Sequence, residues 1–324
     1  MNIVKLKKEW FPLFNSKELK SKPLAKTLLG FKLVFARIDN EVSCFEDRCP
    51  HRNVPLSKGS IVNNQLRCNY HGWSFNNLGE LKSIPGCKNC NKNIKLQAIS
   101  TKEIDSIIWV RLEGDKEFNN CFSSSDIYST TRSFKYLKAD FVHSIENFLD
   151  PTHTPFIHKG LLRNENGQSM SVTQESNEYG FKTYYKLNNM QNGLINKFFD
   201  SGIDENIASC NFPGFATIDY LKNSKLLFRV SIFFIPINKG EVQMVVNASL
   251  LKTFVPSFLK FIILRPFLEL AFYQDKKILE SQYKENSFFK KSYKIIDSDL
   301  VINHLLHIFY DEPKGVNKTI DIEL

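Results

Sequence analysis

The stretch "DRCPHRNVPLSKGSIVNNQLRCNYHGWSF" (residues 47–75) carries Cys49-x-His51 and then Cys68-x-x-His71, both in turn-rich sequence. Two Cys and two His suit zinc, but a zinc finger normally pairs Cys with Cys and His with His. Here each loop offers one of each. That suits a two-iron cluster in which both thiolates hold one iron and both imidazoles hold the other, so that each loop touches both irons. Two neutral imidazoles in place of thiolates lower the negative charge. They raise the potential into a range of about −150 to +300 mV. Trp73 and the backbone near Gly72 and Ser74 are candidates to shield the sulfurs and hydrogen-bond to them.

Around these loops the chain reads as short strands. FKLVFARI (31–38), VSCFE (42–46) and SIIWVRLE (106–113) are rich in β-branched and aromatic residues, with Asp-Asn, Lys-Gly, Asn-Asn and Pro-Gly between them. Residues 1–115 therefore read as a small all-β domain. The polar stretch 115–135 marks the boundary with a second, mixed domain at 116–324. There, residues 138–149 read as helix, and 171–187, 215–221, 227–236 and 241–251 as antiparallel strands. A helix is expected to open at Pro266, which suits a first helical position, and to run to about Tyr283.

Composition limits the function classes. Hydrophobic residues make up 42% and charged residues 24%, as in a folded globular chain. The formal net charge of +9 is spread among acids without a long basic run, so a nucleic-acid partner is not expected. Seven cysteines in a chain this long do not form a small disulfide scaffold. Cys44, Cys121 and Cys210 lack metal spacing and read as buried thiols. Cys87 and Cys90 form a C-x-x-C with no partner pair; a redox pair or second metal is the less favoured reading. The N-terminal residues lack the pattern of a signal peptide, and a cytoplasmic location is expected. FVPSFLKFIILRPFLELAF (254–272) is the most apolar stretch, but its charges and prolines make it a poor membrane span. It reads as a packed helix pair or as the border of a channel for a hydrophobic molecule, without membrane contact.

A second constellation lies in "HSIENFLDPTHTPFIHKG" (143–160), which holds Asn147, Asp150, His153 and His158. On a helix Asp150 and His153 share a face, whereas His153 and His158 do not. Pro151 and Pro155 predict a distortion that brings both imidazoles to one point. A 2-His-1-carboxylate iron site also needs an acid. In the helix from Pro266, a stripe of Leu268, Ala271, Phe272, Asp275, Ile278, Leu279 and Gln282 is apolar except for Asp275 and Gln282. A buried carboxylate is costly unless compensated, which makes Asp275 the candidate ligand and leaves Glu280, off the stripe, the weaker one.

The loops CPHR and CNYHGW, followed by N-x-x-D-x-x-H-x(4)-H, resemble the Rieske non-heme iron oxygenases, terminal oxygenase α subunits. The opening EWFPLFNSKELKSKPLAKTLLGFKLVFAR, the strands FFIPINKGEVQMVV and the helix QDKKILESQ look like the vanillate demethylase-like branch. The resemblance implies an α+β chain: a Rieske domain and a helix-grip catalytic domain with an antiparallel sheet around helices. It implies a [2Fe–2S] cluster on Cys49, His51, Cys68 and His71, and Fe(II) on His153, His158 and Asp275, with O₂ as co-substrate. It further implies a head-to-tail homotrimer in which Asp150 bridges His71 of one subunit to His153 of the next, and a role near the iron for Asn147. No dinucleotide fingerprint or plant-type ferredoxin run is present, so electrons are expected from a separate NAD(P)H-dependent reductase, directly or through a ferredoxin. Hydroxylation or oxidative demethylation of a hydrophobic or aromatic small molecule is favoured over cis-dihydroxylation. The alternative is a Rieske electron carrier without oxygenase activity.

Overall fold

The computed structural model describes all residues except 88–92, 123–125, 162–168, 189–201, 255, 287–293 and 324. It divides into two compact units. One comprises Ile3–Phe118 with Ile235–Lys239; the other comprises Met1–Asn2, Asn119–Phe234 and Gly240–Leu324.

The first unit is β-rich. After a short helix, α1 (Ile3–Lys7), it contains β1 (Phe11–Asn15), β2 (Leu24–Leu28), β3 (Phe31–Ile38), β4 (Glu41–Glu46), β5 (Ser60–Val62), β6 (Gln65–Arg67), β7 (Ser74–Phe75), β8 (Leu81–Ser83), β9 (Ser100–Ile104) and β10 (Ile107–Arg111). They form three sheets, ordered β1-β10-β9, β2-β3-β4 and β5-β6-β7-β8. Hairpin turns pin the register. Asp39–Asn40, Asn63–Asn64 and Asp105–Ser106 all have positive φ at both positions, the conformation whose twist matches the flanking strands and which Asn and Asp tolerate. Val34, Phe35, Ala36 and Phe45 are fully buried. Val34, Ala36 and Phe45 pack with Leu56, Leu66 and Phe75 in a core that also encloses Cys49 and Cys68.

The second unit is built on an eight-stranded sheet, ordered β11-β17-β16-β15-β14-β13-β12-β18. Its strands are β11 (Tyr128–Leu137), β12 (Ser169–Ser176), β13 (Gly180–Leu187), β14 (Glu205–Asn211), β15 (Phe215–Lys222), β16 (Lys225–Asn238), β17 (Glu241–Leu251) and β18 (Thr319–Glu323). The helices are α2 (Phe141–Leu149), α3 (Thr154–Ile157), α4 (Ser257–Asn286) and α5 (Ile302–Tyr310). Asp140 caps α2 by accepting from the amides of Val142 and His143. The β15–β16 turn falls at Asn223–Ser224, again with both φ positive.

Three local expectations change. The polar stretch 115–135 is not all connector, because β11 starts within it and pairs with β17 along its whole length, from Tyr128 opposite Leu251 to Leu137 opposite Val242. Pairing outweighs the low intrinsic strand preference of Ser and Arg there. Pro266 lies inside α4 instead of opening it. Its side is exposed, so the carbonyl freed by the missing N–H can reach water. Ile278, expected on the buried stripe, is exposed, whereas Leu279 beside it is buried.

Cys44 and Cys210 are buried free thiols, and the partly buried Cys121 thiol is pushed up to about 12 by burial. Cys87 is disulfide-bonded; Cys90 lies outside the described residues. Among the described residues no helix is long and apolar enough to cross a membrane.

Candidate active site

The loop after β4 carries Cys49 and His51, and the loop between β6 and β7 carries Cys68 and His71. Each loop folds back on its cysteine. Cys49 donates its amide to Val54 O (2.9 Å) and accepts from Asn53 N (2.8 Å); Cys68 donates to Trp73 O (2.9 Å) and accepts from Gly72 N (3.1 Å). These reversals need left-handed backbone at Asn53 (φ 59°) and Gly72 (φ 70°). At Gly72 a Cβ would also meet Pro85 Cγ at 2.7 Å, so only glycine fits.

The four side chains then gather. The thiols of Cys49 and Cys68 are buried and touch, and burial followed by this mutual contact raises the Cys49 pKa. The rings of His51 and His71 lie 4.6 Å apart. The Trp73 ring stacks on His51 at 4.6 Å and 2° and packs against the core that holds Cys49 and Cys68. Ser74 Oγ donates to Gly72 O within the second loop. His51 Nδ1 is buried without a hydrogen-bond partner, as a nitrogen reserved for a metal would be. A single tetrahedral zinc would draw all four donor atoms to within about 4 Å of one another. The one set of three or more donors that converges within 4.8 Å among the described residues lies elsewhere. A paired-thiol, paired-imidazole layout fits a two-iron cluster.

The converging set is His153, His158 and Asp275. Here one expectation is corrected. Asp150 and His153 do not share a helix face, because α2 ends at Leu149 and Asp150 is extended (φ −82°, ψ 118°). Pro151 disfavours helical backbone in the residue before it. The chain restarts as the four-residue α3, with His153 just before it and His158 just after it. Both imidazoles thus face α4, where Asp275 Oδ1 lies 3.5 Å from His153 Nε2 and 3.1 Å from His158 Nε2. Asp275 Oδ1 and His153 Nδ1 are buried and make no hydrogen bond.

The surroundings favour a cation. Burial works against charge on His153, but Asp150 and Asp275 outweigh it and raise its pKa to about 9. Burial likewise opposes ionisation of Asp275, and the two imidazoles overcome it and lower its pKa. A divalent ion with its donors about 3 Å apart satisfies the same two Nε2 atoms and the carboxylate at once. Asp150 is held by Thr152, whose N and Oγ1 donate to it at 2.8 and 2.7 Å, and its Oδ2 stands 3.9 Å from His153 Nδ1. Asn147 joins Asp150 and the three donors in lining a cavity of about 640 Å³. Glu280 is not in the set; its Oε1 accepts from Lys138 N.

Two residues were not foreseen. Gln274 Oε1 lies 2.9 Å from His158 Nδ1. Oε1 only accepts, so Nδ1 carries the proton and Nε2 keeps its lone pair for the site. Its only signal in the sequence is adjacency to Asp275. Asn206, on β14, is 5% exposed and lines the cavity, and its Oδ1 has no partner. Most other cavity walls are apolar, among them Ile218, Val230, Phe261 and Leu268.

Comparison with known proteins identifies the family of each domain. Residues 9–101 match the family described as Rieske [2Fe-2S] domain, and residues 137–304, just over half of the chain, match the Vanillate O-demethylase oxygenase C-terminal domain. Methylxanthine N1-demethylase NdmA of Pseudomonas putida is 32% identical over 171 residues, 48% of this chain and 48% of that protein. The oxygenase subunit of 3-chlorobenzoate-3,4-dioxygenase of Comamonas testosteroni is 28% identical over 172 residues, 48% of this chain and 39% of that one. The matched stretch thus spans about half the length of these curated relatives, or less. A crystal structure of dicamba monooxygenase bound to dicamba superposes with a TM-score of 0.77 over 94% of this chain and 97% of that one at 18% identity, a likeness of fold.

Proposed function

The chain belongs to the Rieske oxygenases with a vanillate O-demethylase oxygenase C-terminal domain, and from that membership we propose that it is a terminal oxygenase component. It takes electrons from a separate reductase and uses O₂ to hydroxylate or oxidatively demethylate an apolar or aromatic small molecule. The observation that carries this is the convergence of His153, His158 and Asp275 within 4.8 Å at the wall of a largely apolar cavity.

In this reading Cys49 and Cys68 hold one iron of the cluster, His51 and His71 the other, and the three converging donors hold the mononuclear iron. When bound, the cluster supplies single electrons and the mononuclear iron supplies O₂ activation. The protein's own residues do the rest. Gln274 fixes the tautomer and ring plane of His158. Thr152 holds Asp150 toward His153, and Asp150 orients that ring. The apolar walls exclude water from the reacting face, and the amide of Asn206 offers an acceptor to one polar group of the substrate. Asn147 contributes a further polar group at the same wall.

The proposal includes a homotrimer in which Asp150 of one subunit also meets His71 of a neighbour. The exposure of His71 in the single chain supports it. The reductase is NAD(P)H-dependent, acting directly or through a ferredoxin. The curated relatives include a demethylase and a dioxygenase by name, so the type of oxygenation is decided by product.

The test is iron content and O₂ uptake. Purified protein is expected to hold three irons per chain with a Rieske absorption and EPR signature. With a surrogate reductase it is expected to show substrate-dependent O₂ uptake on an aromatic, steroid or methoxylated panel, with formaldehyde marking demethylation. Two irons per chain indicate an electron carrier, and a colourless protein removes the cluster; either result defeats the proposal. Asp150→Asn is expected to keep all three irons and lose coupled turnover; full activity removes Asp150 from the electron path.

A further inference from the structure

The N-terminal half of α4 has two apolar faces. Phe261, Leu264, Leu268 and Phe272 turn to the cavity on the side that bears Asp275. Away from it Leu259, Ile263 (50% exposed), Leu270 and Tyr273 continue an exposed row that begins at the cavity edge with Phe258 (63%) and Ile262 (63%), at i, i+1, i+4, i+5 spacing. Phe254, just before the helix, is fully exposed. A lone exposed apolar side chain is ordinary, but a contiguous row marks an interaction surface.

Charge says what covers it. At about 100° per residue, Lys260 and Arg265 fall on opposite flanks of the row, and Lys252 precedes it. Lys252 and Lys260 donate only to the carbonyls of Asp126 and Leu251, and none of the three cations has an acidic partner among the described residues. The one acid in residues 254–274, Glu269, is bound to Lys135. An apolar row edged by unneutralised cations is complementary to anionic headgroups above acyl chains. A second copy across a two-fold axis would set these cations against their own kind. An acidic protein would leave the row itself facing water. The row also continues into the cavity, because Phe258 and Ile262 belong to both.

We propose that this face of α4 docks in the plane of an anionic lipid surface, and that the cavity takes a membrane-dissolved apolar substrate past Phe258 and Ile262. The docking stands on α4 alone; the substrate clause rests on the oxygenase reading. In-plane docking requires no spanning helix, and none is present among the described residues. The sequence suggested a packed helix pair or channel border without membrane contact; α4 does border the cavity, and the proposal departs from the expectation only in the membrane contact.

The test is sedimentation of the metal-loaded protein with sucrose-filled vesicles. These are phosphatidylcholine alone, or phosphatidylcholine with phosphatidylglycerol at roughly one part in three. Association with the anionic vesicles is expected, weakened by salt. Leu259→Glu/Ile263→Glu and Lys260→Glu are expected to weaken it roughly tenfold or more. These residues do not line the cavity, so the variants are expected to keep cluster absorbance and oligomer size. No association by the parent protein, or unchanged association in both variants, overturns the docking. So does a change of oligomeric state in Leu259→Glu/Ile263→Glu, which makes the face a contact between copies. Vesicle binding is read without turnover. Its failure beside intact O₂ uptake removes only the docking, and loss of the three-iron count beside intact binding removes only the substrate clause.

Discussion

Gln274→Leu separates the oriented-ligand account of His158 from a packing account. His158 is 2% exposed, and its Nδ1 has Gln274 Oε1 at 2.9 Å as its partner. Leucine fills a similar volume but accepts nothing. The ring then has two choices. It can keep the proton on Nδ1 and leave a buried N–H unpaired, at a cost of about 1–3 kcal/mol. Or it can move the proton to Nε2, the atom 3.1 Å from Asp275 Oδ1, where a metal would have to displace it. Both routes fall on metal binding. The expected loss is about 10–100-fold in affinity at the mononuclear site, or roughly 1.4–2.7 kcal/mol. The assay is retention of the third iron against a graded chelator, with cluster absorbance from the Cys49 and Cys68 loops as internal standard. Gln274→Glu, which keeps an acceptor, is expected to restore retention. If Gln274→Leu holds its third iron at the same chelator concentration as the parent, the hydrogen bond does not orient His158 and the reasoning fails.

Two further changes address buried polar groups. Burial first, then Asp150, Asp299 and Asp140, raise Glu146 to about 7. An unfolded glutamate ionises near 4.5, so the folded protein binds the extra proton and loses stability as pH rises from about 4.5 to about 7. Glu146→Gln is therefore expected to be neutral near pH 4.5 and stabilising by about 1–3 kcal/mol at pH 8 in denaturant unfolding; an equal effect at both pH values refutes it. Asn206→Leu removes an unpartnered buried amide, so stability is expected to hold or rise by about 1–2 kcal/mol, while substrate-dependent O₂ uptake falls roughly tenfold. Unchanged uptake would leave Asn206 without a part in substrate binding.

The cluster half of the chain was legible because its chemistry is local. Cys49, His51, Cys68 and His71 sit within two turns, and their spacing alone argues for a mixed-ligand diiron centre over zinc. The hairpins of this unit were legible for the same reason: Asp39–Asn40 and Asn63–Asn64 are residues that tolerate positive φ, and the structure has it there. Pro151 announced a break after α2, though not that Asp150 would be extended and lie outside the helix. Strands with weak patterning were missed. β11 is Ser- and Thr-rich and gains its place by pairing with β17, and β18 by pairing with β12.

By itself the sequence determined which side chains can hold metal and that Asp275 sits on an apolar stripe, since both follow from residue type and short spacing. It could not say which neighbour each group meets. The approach of Asp275 to both Nε2 atoms, the seat of Gln274 against His158 and the unpartnered Asn206 in the cavity wall all arise between segments far apart in the chain. Helical periodicity likewise gave one apolar stripe from Leu268 to Leu279, but not the second apolar face at the N-terminal end of α4 that stays wet. Only the turning of its inner face to the cavity leaves Leu259, Ile263 and Leu270 outside, because burial is a property of what a residue packs against and not of the residue.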